Sequence, residues 1–343
     1  MGILTARFEH DGRILWGVVH GQAVVPVGEY ASTRDFLQRG HRQAAGAPGP
    51  GRSRPPQQRE TAEPVGREEG AGVPQPEAGV PVAEVRLLSP VTRPARVVAQ
   101  GVNYADHRKE GGYAAAKPPF NMIFMKADSS LSGPRDPVVC PPHVRLLDYE
   151  VELGLVIGRP ITGPIEVTPE NLHEYVAGVT IADDISARDI QIPQEQWDKG
   201  KSYRTFCPTG PYLYLLEAED VALLDALELR LWVNGELRQS ASTADMLYKP
   251  AETLRELSGV MDLDPGDLIL TGTPAGVAIA PPPRFVQKVT ALVLSPERRS
   301  DLFISGQLKN HRYLKEGDLI RATIASGDGR IDLGTQLNCV QKG

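Results

Sequence analysis

The clearest alternation of polar and apolar positions lies in residues 148–158, which read Asp-Tyr-Glu-Val-Glu-Leu-Gly-Leu-Val-Ile-Gly. Successive side chains of an extended strand point to opposite faces, so Asp148, Glu150 and Glu152 share one face. Apolar side chains occupy the other face. The pattern therefore predicts a strand that carries a row of carboxylates on one side and packs against the core with the other.

Short alternating or apolar runs dominate the rest of the chain. Two runs, residues 3–8 and 14–19, flank a Glu-His-Asp-Gly turn and predict a small antiparallel unit. The further predicted strands lie at residues 97–100, 123–125, 177–181, 227–233, 267–271 and 319–324. Convincing helical patterns occur only at residues 171–176 and 251–261, with one or two further turns at 33–37. We therefore expect a mainly β fold with some α, a large β-roll or sandwich rather than a doubly wound sheet.

Composition divides the chain into three predicted regions. Residues 1–40 are the small N-terminal β unit, and residues 81–343 are the main domain. The residues between them, 41–80, lack Leu, Ile, Met, Phe, Tyr and Trp altogether. Such a stretch cannot bury enough apolar surface to offset the entropy of ordering it, so we predict a disordered linker. Residues 281–310 are also poorly patterned and predict a surface excursion.

Charge and cysteine usage narrow the choice of partner and compartment. The net charge is -6 without a basic run, which argues against nucleic acid and anionic membranes and favours a small-molecule ligand. Cys140, Cys207 and Cys339 lie far apart without a Cys-x-x-Cys pair, so we expect neither a disulfide framework nor a zinc site. We find no signal-peptide core and no run of membrane-spanning length, so we expect a cytoplasmic protein.

The row of acids is a candidate metal site. Neighbouring carboxylates on one strand face are about 7 Å apart and repel by roughly 2 kcal/mol at an effective dielectric of 20. A partly buried row therefore favours a hard divalent cation such as Mg²⁺ or Ca²⁺. A solvated strand face with scattered acids is the alternative. Asp183 and Asp184, at the end of the apolar run 176–181, offer a third carboxylate, although an acid before Ser is also ordinary turn chemistry.

Three further segments carry candidate chemistry. His107 and Glu110 are three residues apart, so one helical turn places them together as a general-base pair, unless they form a surface ion pair. A nucleotide-binding loop is excluded at Gly200-Lys201-Ser202, because Glu195 stands where that motif needs Gly. Lys201 can stabilise an oxyanion or lie in a solvated loop. The Thr-Gly-Thr-Pro turn with Thr273 can bind a carboxylate or be a structural hairpin.

These signals gain weight because they occur in one order. The chain contains, in succession, Asn-Tyr-x-x-His-x-x-Glu, Ser-Leu-Ser-Gly-Pro, Asp-Tyr-Glu-Val-Glu-Leu, Asp-Ile-Ser-Ala-Arg-Asp-Ile-Gln, Gly-Lys-Ser and Thr-Gly-Thr-Pro-Ala-Gly. This combination resembles the fumarylacetoacetate hydrolase family over roughly residues 85–277 and again over 313–336. The His-x-x-Glu spacing is similar to the acylpyruvase and 2-hydroxyhepta-2,4-diene-1,7-dioate isomerase-like branch. The resemblance implies a mixed β-roll as the catalytic domain and a homodimer.

The resemblance also implies a site. Its ion is Mg²⁺, with Ca²⁺ or Mn²⁺ as alternatives, held by Glu150, Glu152 and Asp184. His107, supported by Glu110, moves the proton, and Lys201 stabilises developing negative charge. The residues that help to hold the substrate are Arg188, Gln191 and Thr273.

The expected reaction is hydrolysis of a carbon-carbon bond in a 2,4-dioxo acid through a metal-bound enolate. The substrate would be an acylpyruvate or a fumarylpyruvate-like or fumarylacetoacetate-like product of aromatic ring cleavage. Isomerisation of a hydroxymuconate-type diene acid, or decarboxylation of a 2-oxo diacid, is an alternative at the same site. A third alternative is a non-catalytic protein that the cation merely stabilises.

Overall fold

The computed structural model describes residues 2–46, 79–280 and 292–343. The strands are β1 (Ile3–His10), β2 (Arg13–His20), β3 (Ala23–Gly28), β4 (Val80–Pro81), β5 (Arg86–Leu88), β6 (Val97–Gly101), β7 (Met122–Lys126), β8 (Leu131–Ser132), β9 (Val138–Cys140), β10 (Leu147–Asp148), β11 (Val151–Ile157), β12 (Val176–Asp183), β13 (Ser186–Ala187), β14 (Cys207–Pro208), β15 (Leu213–Leu215), β16 (Leu227–Val233), β17 (Glu236–Ser242), β18 (Leu268–Leu270), β19 (Leu319–Ser326) and β20 (Asp332–Lys342).

The helices are fewer and mostly short. They are α1 (Thr33–Asp35), α2 (His41–Ala45), α3 (Ala105–Glu110), α4 (Arg188–Gln194), α5 (Trp197–Lys201), α6 (Pro250–Ser258) and α7 (Pro296–Gln307). A π-helical turn, Phe36–Gly40, joins α1 to α2. Short 3-10 helices occur at Val82–Glu84, Asp128–Ser130, Leu172–Glu174, Ala218–Asp225 and Thr243–Asp245. The prediction of a mainly β fold with some α is confirmed.

Two large sheets enclose the core. The first has eleven strands in the order β4-β3-β2-β1-β15-β12-β11-β18-β6-β7, with β5 also paired to β1. The second has five, in the order β17-β16-β19-β20-β9. Pairing is mostly antiparallel, but β18–β6 and β20–β9 are parallel, which makes both sheets mixed. Leu153 of β11, Leu229 of β16 and Ile324 of β19 belong to one buried cluster, so the main core lies between the sheets.

Local sequence explains the two kinds of strand. β16 alternates strictly, with its leucines buried and Glu228 and Arg230 exposed, as expected for a sheet with one wet face. β11 is buried at every position because it lies centrally, between β12 and β18. The site described below lies where β11 begins and β12 ends. Burial at that point removes its charged side chains from bulk water.

The N-terminal unit joins the main sheet directly. β1, β2 and β3 form the predicted antiparallel meander, and β1 continues the large sheet by pairing with β15. Trp16 stacks on Phe36 of the following helical turn, with ring centroids 4.1 Å apart. Helix α2 occupies His41–Ala45, so structure extends past the predicted start of the linker at residue 41. Residues 47–78, the greater part of that linker, lie outside the described residues.

Three local predictions need correction. The row of acids at residues 148–158 is not one strand, because the chain leaves β10 at Asp148 and enters a different sheet at Val151. The helix predicted at 171–176 is only a 3-10 turn, Leu172–Glu174, after which β12 begins; the helix predicted at 251–261 is confirmed as α6. The surface excursion predicted at 281–310 contains a helix, α7, that the sequence pattern does not predict; residues 281–291 of this excursion lie outside the described residues.

Candidate functional site

Three carboxylates from two segments converge beneath a cavity. Glu150 lies between β10 and β11, Glu152 is the second residue of β11, and Asp184 follows β12. The antiparallel pairing of β11 with β12 brings these segments together, and the N–H of Asp184 donates to the carbonyl of Glu150 at 2.8 Å. One oxygen of each carboxylate lies within 4.8 Å of the others, and all three residues are buried. The sequence-predicted triad is therefore a spatial cluster.

Asp148, the fourth acid of the segment, points elsewhere. Its carboxylate accepts hydrogen bonds from the backbone N–H groups of Ala278 and Ile279 and from Nε of Arg188. The change of sheet after Asp148 breaks the two-residue period that would have aligned it with the other acids. Asp148 instead fixes Arg188 and the segment after β18.

Glu152 is the least compensated member of the triad. Its Oε2 accepts the N–H of Gly272 at 2.6 Å, but among the described residues no cationic side chain forms an ion pair with it. Burial, together with the charges of Asp184 and Glu150, raises the pKa of Glu152 well above its ordinary value. Gly272 adopts φ +88°, and a Cβ there would lie 2.7 Å from Cβ of Asn103, so this position needs glycine.

Two lysines from other segments of the chain contact the carboxylate cluster. Lys201 ends helix α5 and does not lie in a solvated loop; its Nζ lies 2.6 Å from Oε2 of Glu150 and 2.5 Å from Oδ2 of Asp184. Burial alone would lower the pKa of Lys201, but the charges of Asp184 and Glu150 outweigh it and raise that pKa. Lys126, the last residue of β7, also forms an ion pair with Asp184, and both side chains are completely buried.

Lys126 is not among the site residues predicted from the sequence. It immediately follows the apolar run at residues 122–125, and the strand predicted at 123–125 stops one residue before it, whereas β7 includes it. Nζ of Lys126 also donates to the backbone carbonyl of Lys201, so it connects the end of α5 to Asp184. A fully buried amine in this position holds the carboxylate in place.

Arg188 and Gln191 form one network with Glu150. Nε of Arg188 donates to Asp148 at 2.9 Å, a terminal nitrogen donates to Oε1 of Gln191 at 2.8 Å, and the other pairs with Glu150. Burial would raise the pKa of Glu150, but the charges of Arg188 and Lys201 hold it well below its usual range. Glu150 thus carries one cationic partner at each of its oxygens, in contrast to Glu152.

His107 and Glu110 meet on α3, as their spacing predicts. Nδ1 of His107 lies 3.5 Å from Oε2 of Glu110. Glu110 is held in addition by the backbone N–H of Gly276, which donates to both of its oxygens. The pair is therefore attached to the turn after β18 and is not an isolated surface ion pair.

Thr273 lies in that same turn, but its hydroxyl is engaged within the protein. It donates to the carbonyl of Val151 at 3.0 Å and accepts Nε2 of Gln239 at 2.8 Å. The proton of the hydroxyl is therefore used to fix the turn against β11. A substrate at Thr273 would have to contact its remaining surface.

A cavity of about 570 Å³ adjoins the cluster at Glu150, whereas Glu152 and Asp184 are not among its lining residues. The predicted residues that line it are His107, Glu110, Glu150, Arg188, Gln191, Lys201 and Thr273. Its apolar walls include Phe124 and Trp197, whose rings pack edge to face with centroids 5.2 Å apart. The volume is in the range of small-molecule sites, and the combination of apolar walls with a few convergent polar groups is typical of them.

The carboxylate cluster fits a divalent ion. Its donors are all carboxylate oxygens, which hard cations such as Mg²⁺, Mn²⁺ and Ca²⁺ prefer. Glu152 supplies a buried carboxyl group that lacks a cationic partner among the described residues, and a bound ion would compensate the charge of its ionised form. The described residues contain no helix long and apolar enough to cross a membrane.

Residues 96–341 match the sequence model of the fumarylacetoacetate (FAA) hydrolase C-terminal domain. The chain belongs to the fumarylacetoacetate hydrolase family. The members of this family are enzymes. The match confirms the family resemblance that the sequence motifs predict. The match includes every residue of the cluster and the cavity's polar lining.

Three members of the family illustrate what the chain is similar to. The protein named oxaloacetate tautomerase FAHD2B, mitochondrial, of Bos taurus is 44% identical over 213 residues, which are 61% of this chain and 65% of that relative. A probable 2-hydroxyhepta-2,4-diene-1,7-dioate isomerase from Mycobacterium abscessus has 29% identity and a TM-score of 0.69, over 100% of this chain and 99% of that chain. Maleylpyruvate hydrolase from Sphingobium, solved with manganese(II) and pyruvate, has 27% identity and a TM-score of 0.65 over both full chains.

Proposed function

We propose that this family member is a divalent-metal-dependent enzyme that transfers a proton at the carbon beside the 2-oxo group of a small 2-oxo acid. Keto-enol tautomerisation or isomerisation is then its reaction. The observation that supports this most directly is that His107, with Glu110 behind it, lines the same cavity as Glu150 of the buried carboxylate cluster. The 44% identity to a protein named as an oxaloacetate tautomerase supports the same class.

Glu150, Glu152 and Asp184 would hold the ion, with Mg²⁺ as the proposed metal and Mn²⁺ or Ca²⁺ as alternatives. When bound, such an ion acts as a Lewis acid that stabilises negative charge on the oxygens of a 2-oxo acid. Lys126 and Lys201 fix the carboxylate of Asp184, and Gly272 fixes that of Glu152. These contacts keep the donor oxygens together before any ligand arrives.

His107 performs the proton transfer in this proposal. Its imidazole accepts the proton from carbon 3 and returns it to carbon or oxygen, and imidazole is suited to both directions near neutral pH. Glu110 orients the ring and stabilises its charged form. Lys201, protonated and beside Glu150, places a positive charge where the substrate becomes negative. Phe124 and Trp197 exclude water from this side of the cavity.

Hydrolysis of a 2,4-dioxo acid is the second candidate. It is favoured by the volume of the cavity and by the likeness to a maleylpyruvate hydrolase. In that reaction His107 takes a proton from water, the water oxygen bonds to carbon 4, the bond between carbons 3 and 4 breaks, and carbon 3 is reprotonated. The same base and the same charge stabilisation serve both reactions.

The decisive experiment follows proton exchange and product formation separately. Chelator-treated protein is reloaded with Mg²⁺ or Mn²⁺, and oxaloacetate, an acylpyruvate and a hydroxymuconate are followed by NMR in D₂O. We expect metal-dependent deuterium incorporation at carbon 3, inhibited by oxalate. Cleavage products from the acylpyruvate would establish the hydrolase alternative. A metal that raises the melting temperature without any exchange or turnover would contradict both proposals and favour a structural ion.

Two further predictions belong to this proposal. We propose that the protein is a homodimer and that it is cytoplasmic, as the sequence and the resemblance predict. Sedimentation-velocity ultracentrifugation of the metal-loaded protein tests the first, with a monomer as the contradicting result. Cell fractionation tests the second, with recovery in an organelle or membrane fraction as the contradicting result.

A further inference from the structure

One face of α7 forms part of the cavity wall. Pro296, Arg299, Ser300 and Phe303 line the cavity, and their spacing of three, four and seven residues places them on one side of the helix. Arg298 is exposed and does not line the cavity. The helix thus brings one of two adjacent arginines to the cavity that holds Glu150 and His107.

The position of α7 is fixed by contacts at its C-terminal end. Nε2 of Gln307 donates to the carbonyl of Ala280 at 2.6 Å, and Oε1 accepts the hydroxyl of Tyr313 at 2.8 Å. Asn310, just beyond the helix, donates to the carbonyl of Ala278 at 2.6 Å. α7 also packs against α4, which carries Arg188. These contacts attach α7 to the segment that follows the Thr273 turn.

Among the described residues, Arg299 is the arginine of the cavity that forms no ion pair with a carboxylate. Arg188 and Lys201 both pair with Glu150, whereas Arg299 is in none of the ion pairs formed by the described residues. Its Nε is buried without a hydrogen-bond partner. In the described ranges, three other arginines also have a buried Nε without a hydrogen-bond partner, but each of them donates through another of its nitrogens. They are Arg7, Arg238 and Arg312.

The buried Nε–H of Arg299 has no acceptor among the described residues, so a ligand that supplies an anionic oxygen there would replace the water that this N–H has lost. Carboxylate is the planar anion whose geometry matches the guanidinium fork. Glu195 also lines the cavity, but it is exposed and lies outside ion-pair distance. Pro296, the first residue of α7, also lines the cavity, so the positive end of the helix dipole lies at the cavity wall.

We propose that Arg299 binds a second, distal carboxylate of the substrate, so that the enzyme selects dicarboxylic over monocarboxylic 2-oxo acids. This inference rests on the proposed function, because it assumes that the 2-oxo acid group is held at the carboxylate cluster. It assigns a specificity role to a helix that lies in a stretch of sequence without recognisable motifs.

The test is isothermal titration calorimetry of the Mg²⁺-loaded protein with 2-oxobutanoate, 2-oxoglutarate and 2-oxoadipate. All three carry the 2-oxo acid group, but only the last two carry a distal carboxylate. These two differ in the distance between that carboxylate and the 2-oxo group. The variants are Arg299→Met, Arg299→Lys and the matched control Arg298→Met, each checked for native circular dichroism. We expect Arg299→Met to weaken the better-bound dicarboxylate by about 10- to 100-fold and 2-oxobutanoate by less than about twofold. Arg298→Met should change neither, and Arg299→Lys should recover part of the loss.

Several outcomes overturn the inference. One is equal weakening of all three acids in Arg299→Met; another is unchanged dicarboxylate affinity in that variant. Wild-type protein that binds 2-oxobutanoate as tightly as both dicarboxylates overturns it as well, while leaving the proposed function intact. Wild-type protein that binds none of the acids contradicts the proposed function itself, and the inference falls with it.

Discussion

The backbone N–H of Gly276 donates to both carboxylate oxygens of Glu110, each at 3.0 Å. This contact attaches α3, a helix of only six residues, to the turn that follows β18. The same carboxylate lies 3.5 Å from Nδ1 of His107. The orientation of the proposed base therefore depends on a backbone group 166 residues away in sequence.

Glu110 should matter both as an anchor and as a charge. Glu110→Gln keeps an oxygen for Gly276 but loses the charge, so we expect the exchange rate at carbon 3 to fall about 10-fold, and Glu110→Ala to lower it about 100-fold. Steady-state kinetics on the metal-loaded protein measures this, with Glu228→Gln on the exposed face of β16 as the control. An alanine variant as active as wild type would remove Glu110 from the site.

His107→Ala should lose most of the turnover. We expect kcat to fall by about 10²- to 10⁴-fold, because the positioned base is removed. Mg²⁺ affinity, measured by titration calorimetry, should stay within about twofold because the carboxylate cluster is untouched. The matched control is His143→Ala, whose imidazole contacts Tyr203 and does not line the cavity. Full activity in His107→Ala, or loss of metal binding, would contradict its role as the base.

Glu152→Gln should have opposite effects on the two forms of the protein. In the metal-free form it removes an acid whose pKa is raised by burial and by the charges of Asp184 and Glu150, and such an acid costs stability above its unfolded-state pKa, so we expect the free energy of unfolding to rise by on the order of 1–3 kcal/mol. The wild type gains about 2.7 kcal/mol when free Mg²⁺ is 100 times its Kd, and the variant should lose most of this gain. Urea titrations with EDTA and with Mg²⁺ measure both effects. A less stable metal-free variant would show that Glu152 is compensated in another way.

Lys126→Met should destabilise the metal-free protein more than the loaded one. The substitution leaves Asp184 with Lys201 alone, and we expect a loss of about 3 kcal/mol in the free energy of unfolding. A bound ion would restore part of that loss by compensating the same carboxylate. Lys117→Met is the control, because its pair with Glu252 is half-exposed and worth less than about 1 kcal/mol. Equal losses at both lysines would contradict a special role for Lys126.

Gly272→Ala should weaken metal binding by more than backbone strain explains. Gly272 and Gly317 have nearly the same conformation, with φ +88° and +86°, but only at Gly272 would a Cβ meet a neighbour, Asn103 at 2.7 Å. We expect Gly272→Ala to displace the amide that binds Glu152 and to weaken Mg²⁺ binding about 10- to 100-fold. Gly317→Ala should lower stability by about 1 kcal/mol and leave Mg²⁺ binding unchanged. Identical Mg²⁺ affinities in the two variants would exclude this support for Glu152.

Local periodicity in the sequence is the basis for much of the site prediction. The alternation around Glu150 and Glu152 follows from strand geometry, and the meeting of His107 with Glu110 follows from helix geometry; both relations involve only neighbours in sequence. The end of the apolar run offers Asp183 and Asp184 alike, and it is the resemblance to the family that implies Asp184. The alternation failed at Asp148, since a two-residue period holds only while the strand continues in one sheet.

The sequence by itself determined the mainly β class, the carboxylates of the cluster and the pairing of His107 with Glu110 on α3. Each of these rests on spacing within one element or on an ordered set of motifs. Only the tertiary structure decided that Lys126 pairs with Asp184, that Gly276 anchors Glu110, and that α7 brings Arg299 to the cavity. The first two of these contacts join residues that are 58 and 166 positions apart in sequence. Their existence depends on how sheets and helices pack, and no periodicity within a single element encodes that packing.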